Sequence, residues 1–296
     1  MTKEQAQNNA PKATRKKRSQ MLEVWRRLRK NKMAMFGLAI LVLLVLMALS
    51  ADLIAPDGYD NQVYENRFAS PSGDHPFGTD NLGRDILDRI IHGARYSLSV
   101  GIIAVGIAII VGGLLGAFAG FYGGMVDNII MRLMDILLAI PSILLAISIV
   151  SALGPGLFNV MIAVGISSVP GYARIVRASV IQLKGQEFIE AAKAIGATDW
   201  RIIIKHIIPN SLAPIIVQGT LGVAGAILSA AGLSFIGLGI QPPQPEWGAM
   251  LSAGRVYIRD NAWMTLFPGL FIMITILALN LLGDGLRDAL DPKLKS

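Results

Sequence analysis

Long charge-free apolar runs alternate along this chain with short polar stretches. Met33 to Ala51 holds no charge, and a helix of that length at about 1.5 Å per residue reaches about 28 Å, close to the roughly 30 Å hydrocarbon core of a bilayer. The run predicts a first transmembrane helix over residues 33–54. A cleaved signal segment is the alternative, with Ala48-Leu49-Ser50 as its small-residue site. The apolar stretch exceeds the roughly 7 to 15 residues of a signal core, which favours a retained span. Tyr96 to Val126 is again uncharged, Ile129 to Leu153 carries only Arg132 and Asp135, and Gly154-Pro155-Gly156 separates it from the next run. Helices follow at about 96–121, 129–153, 157–178, 212–238 and 264–284. The pattern is that of an all-α membrane protein with six transmembrane helices.

The polar segment 55–95 is acidic, with Asp57, Asp60, Glu65, Asp74, Asp80, Asp85 and Asp88. Ile86, Leu87, Ile90 and Ile91 share one helical face there, and Asp85 and Arg89 stand at i and i+4. This predicts an amphipathic helix lying on the membrane surface before the second span. Gly112, Gly116 and Gly120 in the second span, and Gly219, Gly222, Gly225 and Gly232 in the fifth, predict close helix packing within the bundle or against a second subunit. Pro141 and Pro170 fall inside the third and fourth spans, where a missing backbone donor predicts kinks.

Composition agrees with burial in lipid: 53% of the 296 residues are apolar and 16% charged, with mean hydropathy +0.54. The net charge of +7 is unevenly spread, since eleven of the 27 Lys and Arg precede the first span. With six spans, 21 Lys and Arg fall on the side of the termini and 6 on the other. The positive-inside rule therefore predicts both termini in the cytosol, with cytosolic tails over 1–32 and 287–296. The first thirty residues are polar, basic and predicted to be disordered. The basic block suits anionic lipid headgroups rather than nucleic acid, since Trp25 is its one aromatic residue and it contains no binding module.

Chemistry is sparse. Cysteine is absent, which excludes disulfides and thiolate sites. His75 and His92, with Asp74 or Asp80, are the only metal candidates, and they lack ligand spacing. No phosphate-cradling glycine loop is present, so the chain is predicted to bind no ATP and no other cofactor of its own, and not to be an enzyme. Asp135 is the clearest intramembrane acid; Arg132, three residues earlier, is its predicted partner in a structural ion pair, with a proton relay as the alternative. An ion-coupled secondary transporter would need acids nearer mid-membrane.

The segment 184–209 is too polar to cross lipid and too amphipathic for a loose loop. Glu187 to Ile195 is predicted to be a short helix with Phe188, Ala191, Ala192 and Ile195 on one face. Gly196 ends it, Thr198 or Asp199 caps a second helix, and Pro209 closes that one. Such a helix suits a groove on another protein.

Glu190-Ala191-Ala192, three residues, Gly196 and then Pro209 resembles the EAA loop of bacterial ABC import permeases. His75-Pro-Phe-Gly-Thr-Asp-Asn-Leu-Gly-Arg-Asp85, Gly93-Ala-Arg-Tyr-Ser-Leu98, Pro245-Glu-Trp-Gly-Ala-Met-Leu251 and Asn280 to Pro292 are similar to the C-type subunit of the dipeptide/oligopeptide/nickel branch, over nearly the full chain. Ile208 and His206 depart from the general loop pattern, and Val169 stands where Trp is common. The resemblance implies a type I ABC importer permease fold over a core of residues 96–286, in a bacterial inner membrane. It implies short peptides as cargo, with nickel as the alternative. Implied partners are a second homologous permease, two ATP-binding subunits that hold ATP and Mg, and an extracytoplasmic solute-binding protein. Glu187 and Glu190 would make charged contacts with the ATPase, Ala191 and Ala192 the close-packed face, Gly196 the turn and Pro209 the end of the loop.

Overall fold

The computed structural model describes residues 20–290, as helices joined by loops. Lys3 to Arg18 of the basic block, and Lys293 and Lys295 of the tail, lie outside the described residues. Within them the predicted disordered tail is corrected from Gln20 onward. Gln20–Leu28 forms α1, whose Leu28 buries against Ala34 and Ala289, contacts too distant in sequence to be read locally.

The remaining named helices are α2 (Lys32–Leu49), α3 (Ile86–Tyr122), α4 (Gly124–Leu138), α5 (Ser142–Leu153), α6 (Leu157–Lys184), α7 (Glu187–Ala194), α8 (Leu212–Phe235), α9 (Trp247–Gly254) and α10 (Trp263–Leu290). Five of them, α2, α3, α6, α8 and α10, are long and apolar enough to cross a membrane. The third predicted span is two helices, α4 and α5, bent by 88° about a break that contains Pro141. Pro141 thus does more than kink its span. Pro170, by contrast, sits inside α6, which continues through it.

Helix directions follow from the glycine contacts. Along α3, Gly112 faces Val169 and Tyr172 of α6, Gly116 faces Ala173, and Gly120 faces Arg177 and Val180, so the two helices run parallel. Gly219 of α8 meets Ile109, and Tyr172 closes over Gly222, while Gly225 and Gly232 face open space outside the bundle. Two parallel spans require one crossing between them, and only α4 and α5 are available to make it. The bent pair is therefore a single span, giving six among the described residues. An independent check comes from α2 and α10, which are antiparallel: Gly37 abuts Ala278 and Leu281, while Gly285 abuts Ala34. Both ends of the described chain share one face, the terminal face. Small residues allow these close approaches, which matter because lipid supplies no hydrophobic drive between helices.

The predicted surface helix is also corrected. Residues 86–95 are the first turns of α3, 37 residues long, with Ile86, Ile90 and Ala94 fully packed. Asp85 does not pair with Arg89. Its carboxylate caps α3 by accepting from the Leu87 and Asp88 N–H groups, and it takes a further bond from His75 Nδ1 at 2.9 Å. Arg89 instead donates to the Tyr59 carbonyl at 2.9 Å and approaches Asp80, which Arg84 holds at 2.7 Å.

The face opposite the termini is closed by the same loop together with α9. Phe77 stacks on Phe267 with centroids 4.1 Å apart, and Trp263 Nε1 donates to the Thr79 carbonyl. Trp247, at the start of α9, is completely buried, and its indole donates to the Ile90 carbonyl at 3.0 Å. Glu246 caps α9, accepting from the Gly248 and Ala249 N–H groups at 2.8 Å each. Burial pushes its carboxyl above the usual carboxylate range, against the opposing pull of those bonds.

Candidate functional site

The connection between α6 and α8 lies on the terminal face. α7 carries Glu187 and Glu190 in its first turn and Lys193 in its last, the order its dipole favours. Gly196 takes φ 80°, a left-handed conformation that costs glycine no Cβ clash. Its N–H donates to the Lys193 carbonyl, and that of Ala197 to the Ala192 carbonyl, at 2.9 and 3.0 Å. These two bonds close the end of α7 in a Schellman motif. Thr198 then occupies the cap position of the turn Asp199–Ile202, without a side-chain bond.

Pro209 does not end the second helix. The backbone passes through a π turn at Ile203–Ile207 and on through Ile208–Asn210 into α8. Proline clashes with the carbonyl four residues back and offers no N–H, and a widened turn relieves both problems. Asn210 Nδ2 donates to the His206 carbonyl at 2.6 Å, and Ser211 donates to that of Ile207.

Ile189, Ala192, Ile202, Ile203 and Ile207 bury against Phe121 of α3 and Val176 and Val180 of α6. Trp200 stacks on Phe118 at 6.2 Å, and Lys193 Nζ stands 5.5 Å from the Phe121 ring. The loop is thereby fastened to the ends of two spans. Ala192 points into this contact, which corrects its predicted place beside Ala191 on an outward face. The outward face is Phe188, Ala191 and Ile195, with Ile195 85% exposed. Between it and Ala197, Arg201 and His206 lies an open groove of about 520 Å³. Glu187 and Glu190 stand exposed at the start of the same helix.

The predicted Arg132–Asp135 pair is replaced. Asp135 accepts from Arg174 of α6 at 2.7 Å, and Asp127 holds Arg177 through two bonds of 2.5 and 2.6 Å. Met134 packs on Val169 and Ala173, so the crossing of α4 over α6 aims Asp135 at a residue 39 positions away. Arg174 was legible only as a charge. Its signal is the Arg174/Arg177 spacing inside an apolar helix, matched by Asp127 and Asp135. Among the described residues no group of three or more His, Asp or Glu is placed to hold a metal. His75 binds Asp85 and Asn66, and His92 donates to the Ala55 carbonyl.

This fold is shared with a solved transporter chain. A chain of the MetNI methionine ABC transporter in an inward-facing conformation superposes with TM-score 0.56, covering 69% of this chain and 96% of that one at 19% identity. At that identity the likeness establishes the fold. Residues 112–296 match the family described as "Binding-protein-dependent transport system inner membrane component", and residues 19–71 match "N-terminal TM domain of oligopeptide transport permease C". The chain belongs to the binding-protein-dependent transport permeases. It is accordingly a multi-pass membrane protein and a non-catalytic transport component, whose family relies on ATPase partners for ATP use. It is 54% identical to "Dipeptide transport system permease protein DppC" of Alkalihalophilus pseudofirmus, over 93% of this chain and 90% of that one. It is 48% identical to "Di/tripeptide transport system permease protein DppC" of Pseudomonas aeruginosa, over 94% of each, and 48% identical to "Glutathione transport system permease protein GsiD" of Escherichia coli, over 92% and 90%.

Proposed function

We propose that this permease carries short peptides across a bacterial inner membrane. Its complex contains a second homologous permease, two ATP-binding subunits and an extracytoplasmic solute-binding protein. The observation that carries the mechanism is α7, whose inner residues are locked to α3 and α6 while Phe188, Ala191 and Ile195 stand out beside an open groove. A partner seated on that face moves two spans whenever it moves α7, as alternating access requires. Glu187 and Glu190 supply the charged contacts, Gly196 the turn, and the Pro209 turn passes the motion to α8. The excess of Lys and Arg on the terminal face supports a cytosolic location for it, where ATP is found. Residues 96–286 form the transporting core. Short peptides are the cargo class shared by the relatives' names, glutathione being itself a tripeptide.

Uptake by proteoliposomes holding the complete complex, with labelled dipeptide, glutathione and nickel compared, tests the cargo. ATP-dependent accumulation of dipeptide or glutathione supports the reading, and accumulation of nickel alone overturns it. Gly196→Asp tests the coupling. It places a side chain at positive φ and a charge beside the groove, so uptake should fall at least tenfold with insertion unchanged. Normal uptake by that variant would reject α7 as the coupling element.

A further inference from the structure

Two features of the α4–α6 region point to water inside the membrane. The first is the Arg174–Asp135 pair, whose side chains remain 55% and 57% exposed. Arg174 lies 17 residues after Leu157, about 26 Å of helical rise from the opposite end of α6 and so in the terminal-side part of the predicted span 157–178. Turned toward hydrocarbon there, an exposed ion pair would be costly, so its open side faces water or another polar surface. The second is the break between α4 and α5, where Ala139, Ile140 and Pro141 are exposed. Non-helical backbone at membrane depth is tolerated only inside protein or along an aqueous cavity. The break lies four residues beyond Asp135. On α6, Gly171 faces open space and Ala178 is exposed, so small residues one turn to either side of Arg174 leave its guanidinium accessible.

We infer that the Arg174–Asp135 pair and the adjoining break Ala139–Pro141 line the water-filled translocation path and present a cation and an anion to zwitterionic cargo. The guanidinium would meet a peptide carboxylate, and Asp135 an α-ammonium group. Each already holds the other, so cargo exchanges one ion pair for two of similar energy, which allows release as well as binding. The cargo half of this inference rests on the peptide reading above, and the aqueous half does not.

The chain has no cysteine, so single-cysteine variants carry one reactive thiol each. In the intact complex in membrane vesicles, Ala139→Cys and Ala178→Cys should react with a membrane-impermeant cationic methanethiosulfonate at least tenfold faster than Leu43→Cys on the exposed side of α2. Rates equal to that of Leu43→Cys overturn the aqueous path. So does labelling that appears only after the second permease is stripped away, which would make this face a subunit seam. For the cargo contact, Arg174→Gln should raise the half-saturating concentration of dipeptide at least threefold, with partial recovery in Arg174→Lys. An unchanged half-saturation overturns that contact. Failure to transport any peptide in the wild-type complex would leave the labelling result standing and reject only the cargo assignment.

Discussion

The loops on the two faces of this protein are built on opposite plans. On the face opposite the termini, the anchoring side chains of residues 55–85 and α9 are satisfied by their own chain: Asp85 by His75, Asp80 by Arg84, Trp247 by the Ile90 carbonyl. On the terminal face, the connection from α7 to α8 buries one side just as firmly and leaves Phe188, Ile195 and Trp200 exposed on the other. Exposed aromatic and aliphatic residues beside a groove mark a surface completed by another molecule. The first face is therefore expected to report damage as lost stability, the second as lost association.

The largest effect is expected where the closed face is most dependent on one side chain. Trp247→Ala should destabilise the protein by about 3–5 kcal/mol through cavity formation, read as a lower unfolding midpoint in detergent. An effect below about 1 kcal/mol would show that α9 is not the keystone of that face. Ile195→Asp comes next. It should leave the unfolding midpoint unchanged while weakening capture of the ATPase subunit about tenfold, or about 1.4 kcal/mol. A lowered midpoint with unaltered capture would erase the contrast between the faces. The smallest effect belongs to His75→Ala, since Asp85 keeps its two backbone donors; a loss of about 0.5–1.5 kcal/mol is expected, with ATPase capture unaffected.

Much of this architecture was legible. Uncharged runs of bilayer length located the spans, and the left-handed glycine at Gly196 marked the end of α7. What escaped depended on partners distant in sequence. Asp88, Arg89, His92 and Arg95 interrupt the apolar pattern near residue 90, and so hid the true start of α3. In the structure these groups are absorbed by neighbours, Arg89 by Tyr59 and Arg95 by Asp52. The same limit produced the wrong partner for Asp135, because spacing along one helix favours Arg132 while the crossing of α4 over α6 delivers Arg174. Ala192 was misplaced for a related reason: a helix with small residues on two sides has no unique inner face until its neighbours choose one. Proline at position 209 reads locally as a stop, and only the widened turn before it shows how the helix survives.

That widened turn has a geometric consequence. Each helical residue advances the azimuth by roughly 100°, so the extra residue taken up between Ile203 and Ile207 sets the rotational phase of all of α8 against the loop. Deleting one residue there would leave every side chain chemically intact and turn Gly219 and Gly222 away from α3 and α6. The length of this segment is thus a phase setting, and a small winding or unwinding of the turn would convert a push along α7 into rotation of the span that follows it.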